Sequence, residues 1–148
     1  MTAAKQKGTA WESLIVKALA AFFCGRFGLA PRRVAQEGFN DTGDIHGVSP
    51  FVIQAKAYRN IADGMRLGVA GAVLQAERAG EDFGVAVVKK PRGAVGDAYA
   101  VMRLQDWARL LLRLRRAESR LDAIGPHSGR VEFERDKATP FPREVDLR

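Results

Sequence analysis

The chain has 148 residues, 47% of them hydrophobic and 28% charged, which is one domain's worth with enough apolar matter for a core. Its 24 Lys and Arg against 17 Asp and Glu give a net charge of +7, a balance that favours a polyanionic partner such as nucleic acid. The single cysteine, Cys24, excludes an internal disulfide framework, and no apolar run reaches the ~20 residues of a membrane span. With no signal-peptide pattern in "MTAAKQKGTAWE", the expectation is a cytoplasmic protein with no membrane partner.

Residues 1–8 read as a small, polar, basic arm. Thr9 then opens a helix carrying Trp11, Leu14, Ile15, Ala18, Leu19 and Phe22 at helical spacing, with Gly25 and Gly28 as its stop. Cys24 falls within this apolar stretch and reads as a core or helix residue. "RRVAQ" (32–36) is a short strand, "EGFNDTGD" is dense in turn residues, and "DIHGVSP" leads into a strand over about 51–58. A second helix is expected over about 60–79, with Ile61, Met65, Val69, Ala72, Val73 and Ala76 on one side. Its glycines, Gly64, Gly68 and Gly71, would permit close packing against a sheet or a second subunit.

"FGVAVVKK" (83–90) is a strand whose continuous apolar centre implies cover on both faces. "PRGAVGD" is a loop, "AYAVMRL" (98–104) a strand, and "QDWARLLLRLRRAESRL" (105–121) a long basic helix. Its "LLLRLRR" (110–116) is a candidate DNA-facing stretch, though an amphipathic core helix with a solvated basic edge accounts better for most of its arginines. From Asp122 onward the sequence is polar and carries three of the six prolines, which reads as a tail ordered by a partner. The expected organisation is thus a domain over 1–121 and a tail over 122–148. The domain's order is αβββαββα, a central mixed sheet flanked by helices.

One stretch of this frame carries chemistry. In "FVIQAK" (51–56), alternation puts Gln54 and Lys56 on one face, with Val52, while Ile53 and Ala55 take the other. A tight turn lets Asp44 come beside Gln54, and Glu12 on the first helix reaches the same place. Oxygen donors of this kind suit a hard divalent cation such as Mg²⁺, with Mn²⁺ as substitute. Asp44 and Glu12 offer carboxylates, Gln54 an amide oxygen, and the Ala55 carbonyl a further donor. Lys56, a compact positive charge, suits a phosphate oxygen or the orientation of an attacking water. Glu12 also reads as the third residue of a capping box begun by Thr9 in "TAWE". His46, close to Asp44 in "DIHG", is a further candidate as a general base. Arg32, Arg33, Arg59, Lys89, Lys90 and Arg92 flank strand ends and turns near this constellation and are the candidate phosphate contacts.

At these residues the sequence resembles the PD-(D/E)xK nuclease superfamily. "GDIHG…FVIQAK" is similar to its D-(x)n-(E/Q)-x-K signature. "KGTAWE…RR…NDTGDIHG…FVIQAKAYRN" resembles the Holliday junction resolvases of archaea and especially their phage-encoded relatives. The form "QAK", followed by an aromatic and a basic residue, is also similar to Mrr-type restriction endonucleases. The likeness spans roughly residues 7–115 in element order, though the motif itself is much shorter. It implies a restriction-endonuclease-like fold, Glu12, Asp44 and Gln54 as metal residues and Lys56 as the catalytic lysine. It also implies a further active-site glutamine at Gln75. Most resolvases have Glu where this chain has Gln54, so the site carries one negative charge fewer.

The function expected from this resemblance is a metal-dependent endonuclease that resolves four-way DNA junctions by paired symmetric nicks. Two nicks call for two active sites and hence a twofold homodimer, with no small-molecule cofactor. The alternatives are a nuclease of linear, nicked or flapped DNA, and a catalytically silent DNA-binding module on the same fold.

Overall fold

The computed structural model describes residues 3–34, 41–125 and 136–147. Helix α1 (Ala3–Phe23) begins well before Thr9, so the expected basic arm forms its first turns instead. Ala, Lys and Gln are strong helix formers, and together they offset the roughly 1 kcal/mol cost of Gly8. Thr9 therefore lies inside the helix, where its carbonyl accepts the Ser13 hydroxyl at 2.9 Å. The capping box expected of Thr9 and Glu12 does not arise there. The helix ends as Cys24 and Gly25 turn left-handed, with φ of 50° and 68°. Arg26 closes its last turn, donating from Nε to Phe23 O and from Nη2 to Phe22 O. Cys24, expected in a core or helix, is exposed just past the helix end.

Strands β1 (Arg32–Arg33), β2 (Ile45–Val48), β3 (Phe51–Lys56), β4 (Phe83–Val88) and β5 (Tyr99–Val101) line up in chain order in one mixed five-stranded sheet. The pairs β1–β2, β2–β3 and β4–β5 are antiparallel. Only β3 and β4 are parallel, and a parallel pair needs a crossover. Helix α2 (Ile61–Ala79) provides it, started by Asn60, whose side chain accepts from Ala62 N and Asp63 N. Gly80, with φ of 69°, ends it in the left-handed conformation common at helix C-termini. The end of "RRVAQ" (35–36) and the start of "EGFNDTGD" (37–40) lie outside the described residues.

The two helices cover opposite faces of the sheet. On one, Trp11, Ile15 and Ala18 of α1 pack with Ile45, Val48 and Ile53. A register shift between Ile45 and Val48 turns both of these residues to that face, although they are three apart. On the other, α2 lies so close that a Cβ on Gly68 would sit 2.8 Å from Ala86 Cβ, and one on Gly64 3.0 Å from Val88 Cγ1. From the sheet side, Gly84 meets the Ala72 carbonyl in the same way. The α2 glycines that face inward thus serve helix–sheet contact, not the subunit interface the sequence also allowed.

By its contacts the chain forms two compact units, Met1–Met102 with Pro142–Arg148, and Arg103–Phe141. In the first unit the terminal 3-10 turn Glu144–Leu147 returns to α1, where Lys17 Nζ donates to Leu147 O at 3.4 Å. The second unit is built on α3 (Leu104–Ile124), whose first turn is knit by Asp106 accepting from Arg103 at 2.7 Å and Arg109 at 3.0 Å. Asp106 is its only buried residue, while Trp107, Leu111, Leu112, Leu114 and Leu121 are exposed. The amphipathic pattern is present, with these apolar residues exposed.

Candidate functional site

Along β3 the predicted alternation holds. Ile53 and Ala55 enter the α1 core, and Gln54 and Lys56 turn beneath α2. Val52, on their side, is fully buried, so this face is a second core that becomes polar toward the end of the strand. A Cβ on Gly71 would overlap the Gln54 amide, and one on Gly68 would lie 3.2 Å from Lys56 Cγ. Glycine at these two helix positions is what makes room for the polar pair.

Asp44 immediately precedes β2 and is bound to β3 twice. Its N–H donates to Ile53 O at 3.0 Å, and its Oδ2 accepts the Ala55 N–H at 2.7 Å. The carboxylate is thereby fixed against the stretch that carries Gln54 and Lys56, as the sequence predicted. Asp44 is only 6% exposed, and burial pushes its carboxyl above the usual carboxylate range. The Ala55 N–H opposes that shift, Glu12 adds to it, Lys56 opposes it and Asp41 adds to it.

Glu12 is near Asp44 in this electrostatic sense, but its own carboxylate has a partner. Arg33 approaches Glu12 Oε2 with Nε and Nη2, each at 2.9 Å. That ion pair ties α1 to β1, so two predicted site residues of different roles meet each other. His46 has a bracing contact: its Nε2 lies 2.7 Å from the Thr42 carbonyl, to which it donates. Lys56 Nζ lies 5.9 Å from the Tyr58 ring centroid.

Two amide oxygens are left over. Gln54 and Gln75 are 7% and 2% exposed, and the Oε1 of each is buried without a hydrogen-bond partner. A buried carbonyl with no partner carries its full desolvation cost, about 1–3 kcal/mol. Gln75 does have a partner for its nitrogen, donating from Nε2 to Asp41 Oδ2 at 2.7 Å. Asp41 was legible in the sequence only as a turn residue. Its spacing to Gly43, whose N–H donates to Asp41 Oδ1 at 3.0 Å, was the available signal for an Asx turn.

Among the described residues no three His, Cys, Asp or Glu side chains gather as a cation site. The donors present are one buried carboxylate and two unpartnered amide oxygens, with Glu12 committed to Arg33. Such all-oxygen donors have the chemistry a hard divalent cation takes. On that ground Asp44, Gln54 and Gln75 fit the cation that the sequence implies, and Glu12 fits only if Arg33 releases it.

The basic residues do not all stand alike. Lys89 N donates to Lys56 O at 2.8 Å, so the turn after β4 begins beside Lys56. Lys89 Nζ sits 5.4 Å over the Trp11 ring, whose Nε1 donates to Val87 O. Lys90 and Arg92 are exposed on the turn closed by Gly93 N donating to Lys90 O, with Arg92 left-handed at φ 58°. Arg59 is exposed after β3, and Arg32 is exposed on the edge strand opposite His46. No family model, curated protein or solved structure matches this chain.

Proposed function

We propose that this protein is a divalent-metal-dependent DNA endonuclease of the PD-(D/E)xK kind with a restriction-endonuclease-like fold, and that four-way junctions are its substrate. The observation that carries the reading is the bond from Ala55 N–H to Asp44 Oδ2. It joins the lone aspartate to the Q-x-K strand at the parallel pair of a mixed sheet whose order is αβββαββα. The turn that starts at Lys89 supplies basic residues next to Lys56, where a phosphodiester backbone would lie.

In this reading Asp44, Gln54 and Gln75 hold a cation such as Mg²⁺ or Mn²⁺, and Asp44 must be deprotonated to do so. The cation, when bound, would make a nucleophilic water available near neutral pH and offset charge on the scissile phosphate. Lys56 faces the non-bridging oxygens and stabilises the negative charge that accumulates as water attacks phosphorus. Lys89, Lys90, Arg92 and Arg59 grip flanking phosphates and set the register of the strand without reading its bases. A twofold dimer would supply the second active site for the second nick, and the exposed apolar stripe of α3 is the surface available for it.

The test is cleavage of a labelled immobile four-way junction and of the matching linear duplex, in Mg²⁺ or Mn²⁺, beside Asp44→Asn and Lys56→Ala. Paired symmetric nicks on the junction alone, lost by at least a hundredfold in both variants, are expected. Equal cutting of the duplex would make the protein a general nuclease. Tight DNA binding with no cutting by any form would make it a binding module.

A further inference from the structure

Asp41 has both carboxylate oxygens engaged, one by Gly43 N–H at 3.0 Å and the other by Gln75 Nε2 at 2.7 Å. Its carbonyl also accepts from Arg78 Nη1 at 3.3 Å. It is therefore the knot between the turn that ends in Asp44 and the last turns of α2. The bond to Gln75 has a second consequence. A primary amide has a donor end and an acceptor end, and a carboxylate can only accept. Asp41 therefore fixes Gln75 with its nitrogen toward the turn and its oxygen pointing away.

That oxygen is buried and unpartnered, in a residue only 2% exposed. It lies 3.5 Å from where a Cβ of Gly43 would stand, next to Asp44 in the chain. Gly43 itself has φ of 110°, and a Cβ there would also come within 2.7 Å of Val52 Cγ2. Glycine is thus required where the Asp41 turn passes Gln75, one residue before Asp44.

We infer that Asp41 is a positioning residue: it sets the amide polarity of Gln75 so that a carbonyl oxygen, not an N–H, is offered to the cation beside Asp44. This rests on the metal-dependent reading above and adds to it a residue that does not itself touch the cation. An acceptor-only side chain is essential to the role. In Asp41→Asn the new Oδ1 keeps the Gly43 turn, while Nδ2 faces Gln75. The Gln75 amide then inverts to accept that N–H, and its own N–H₂ turns toward the cation.

The experiment measures Mn²⁺ binding by calorimetry and thermal unfolding without metal, on the full chain and on Asp41→Asn, Asp41→Ala and Asp44→Asn. The inference expects Asp41→Asn to unfold close to the wild-type temperature, since inversion gives the Gln75 oxygen a donor and leaves its nitrogen as the orphan instead. Its Mn²⁺ affinity should nonetheless fall by at least tenfold. Asp41→Ala should lose both stability and affinity. Wild-type Mn²⁺ affinity in a stable Asp41→Asn, with affinity lost in Asp44→Asn, would overturn the role of Asp41 and leave the metal-dependent reading intact. Absence of Mn²⁺ binding by the wild-type chain would overturn both.

Discussion

The carboxyl of Asp44 links the candidate chemistry to stability. Its pKa is raised in the folded protein, chiefly by burial, so the native state holds that proton more tightly than the unfolded chain does. Stability from this group is complete below the unfolded value, about 3.9, and is lost as pH rises through the folded one. Asp44→Asn, which keeps an oxygen for the Ala55 N–H, should therefore melt higher than wild type at pH 7 to 8. The gap should close toward pH 3, and thermal unfolding across that range measures it. Gly71 is the other sensitive residue, because a Cβ there would overlap the Gln54 amide. Ala in place of Gly favours a helix by up to about 1 kcal/mol, but overpacking costs about 1–3 kcal/mol. Gly71→Ala should come out less stable than wild type in urea unfolding, the reverse of the usual helix result.

Helix α2 is positioned by its two ends and by its inward glycines. Asn60 satisfies two N–H groups at its start, so Asn60→Ala should cost about 1 kcal/mol in urea unfolding and Asn60→Asp close to none. The sequence placed this helix within a residue, because cap, periodicity and C-terminal glycine all agree. It placed the start of α1 less well. "TAWE" looks like a helix start, but the Ala, Lys and Gln before it extend the helix through Thr9. The purpose of the α2 glycines was likewise hidden, since sequence spacing shows only that a face is bare. Whether that face meets a sheet or a second subunit depends on where α2 packs. For α3 the periodicity was legible and its burial was not, since no apolar residue of α3 is buried.

For the molecule as a whole, the net charge of +7 becomes useful only where it is concentrated. Lys89, Lys90 and Arg92 follow β4 at the end of the sheet that carries Lys56, which is where the proposed nuclease reading puts the DNA backbone. DNA affinity should fall steeply with salt. Replacing both Lys90 and Arg92 by Ala should lower the slope of log K against log salt by about 2, at roughly 0.9 per phosphate contact. Fluorescence anisotropy with a labelled junction over a salt series reads this directly. Arg33 should contribute much less, since its guanidinium already has the Glu12 carboxylate 2.9 Å away.

What the sequence determined alone is what depends on local pattern. Alternation along β3 assigned Gln54 and Lys56 to one face, the turn before β2 delivered Asp44, and the apolar run at 83–88 marked a strand covered on both sides. Tertiary structure decided what depends on long-range pairing. Glu12 went to Arg33 because α1 lies against β1, and Asp41 reached Gln75 because α2 returns over the loop before Asp44. The two orphaned amide oxygens exist only because helix and sheet close over them. Sequence spacing reports which side of an element a residue occupies, whereas partners, burial and amide orientation are set by the elements that pack against it.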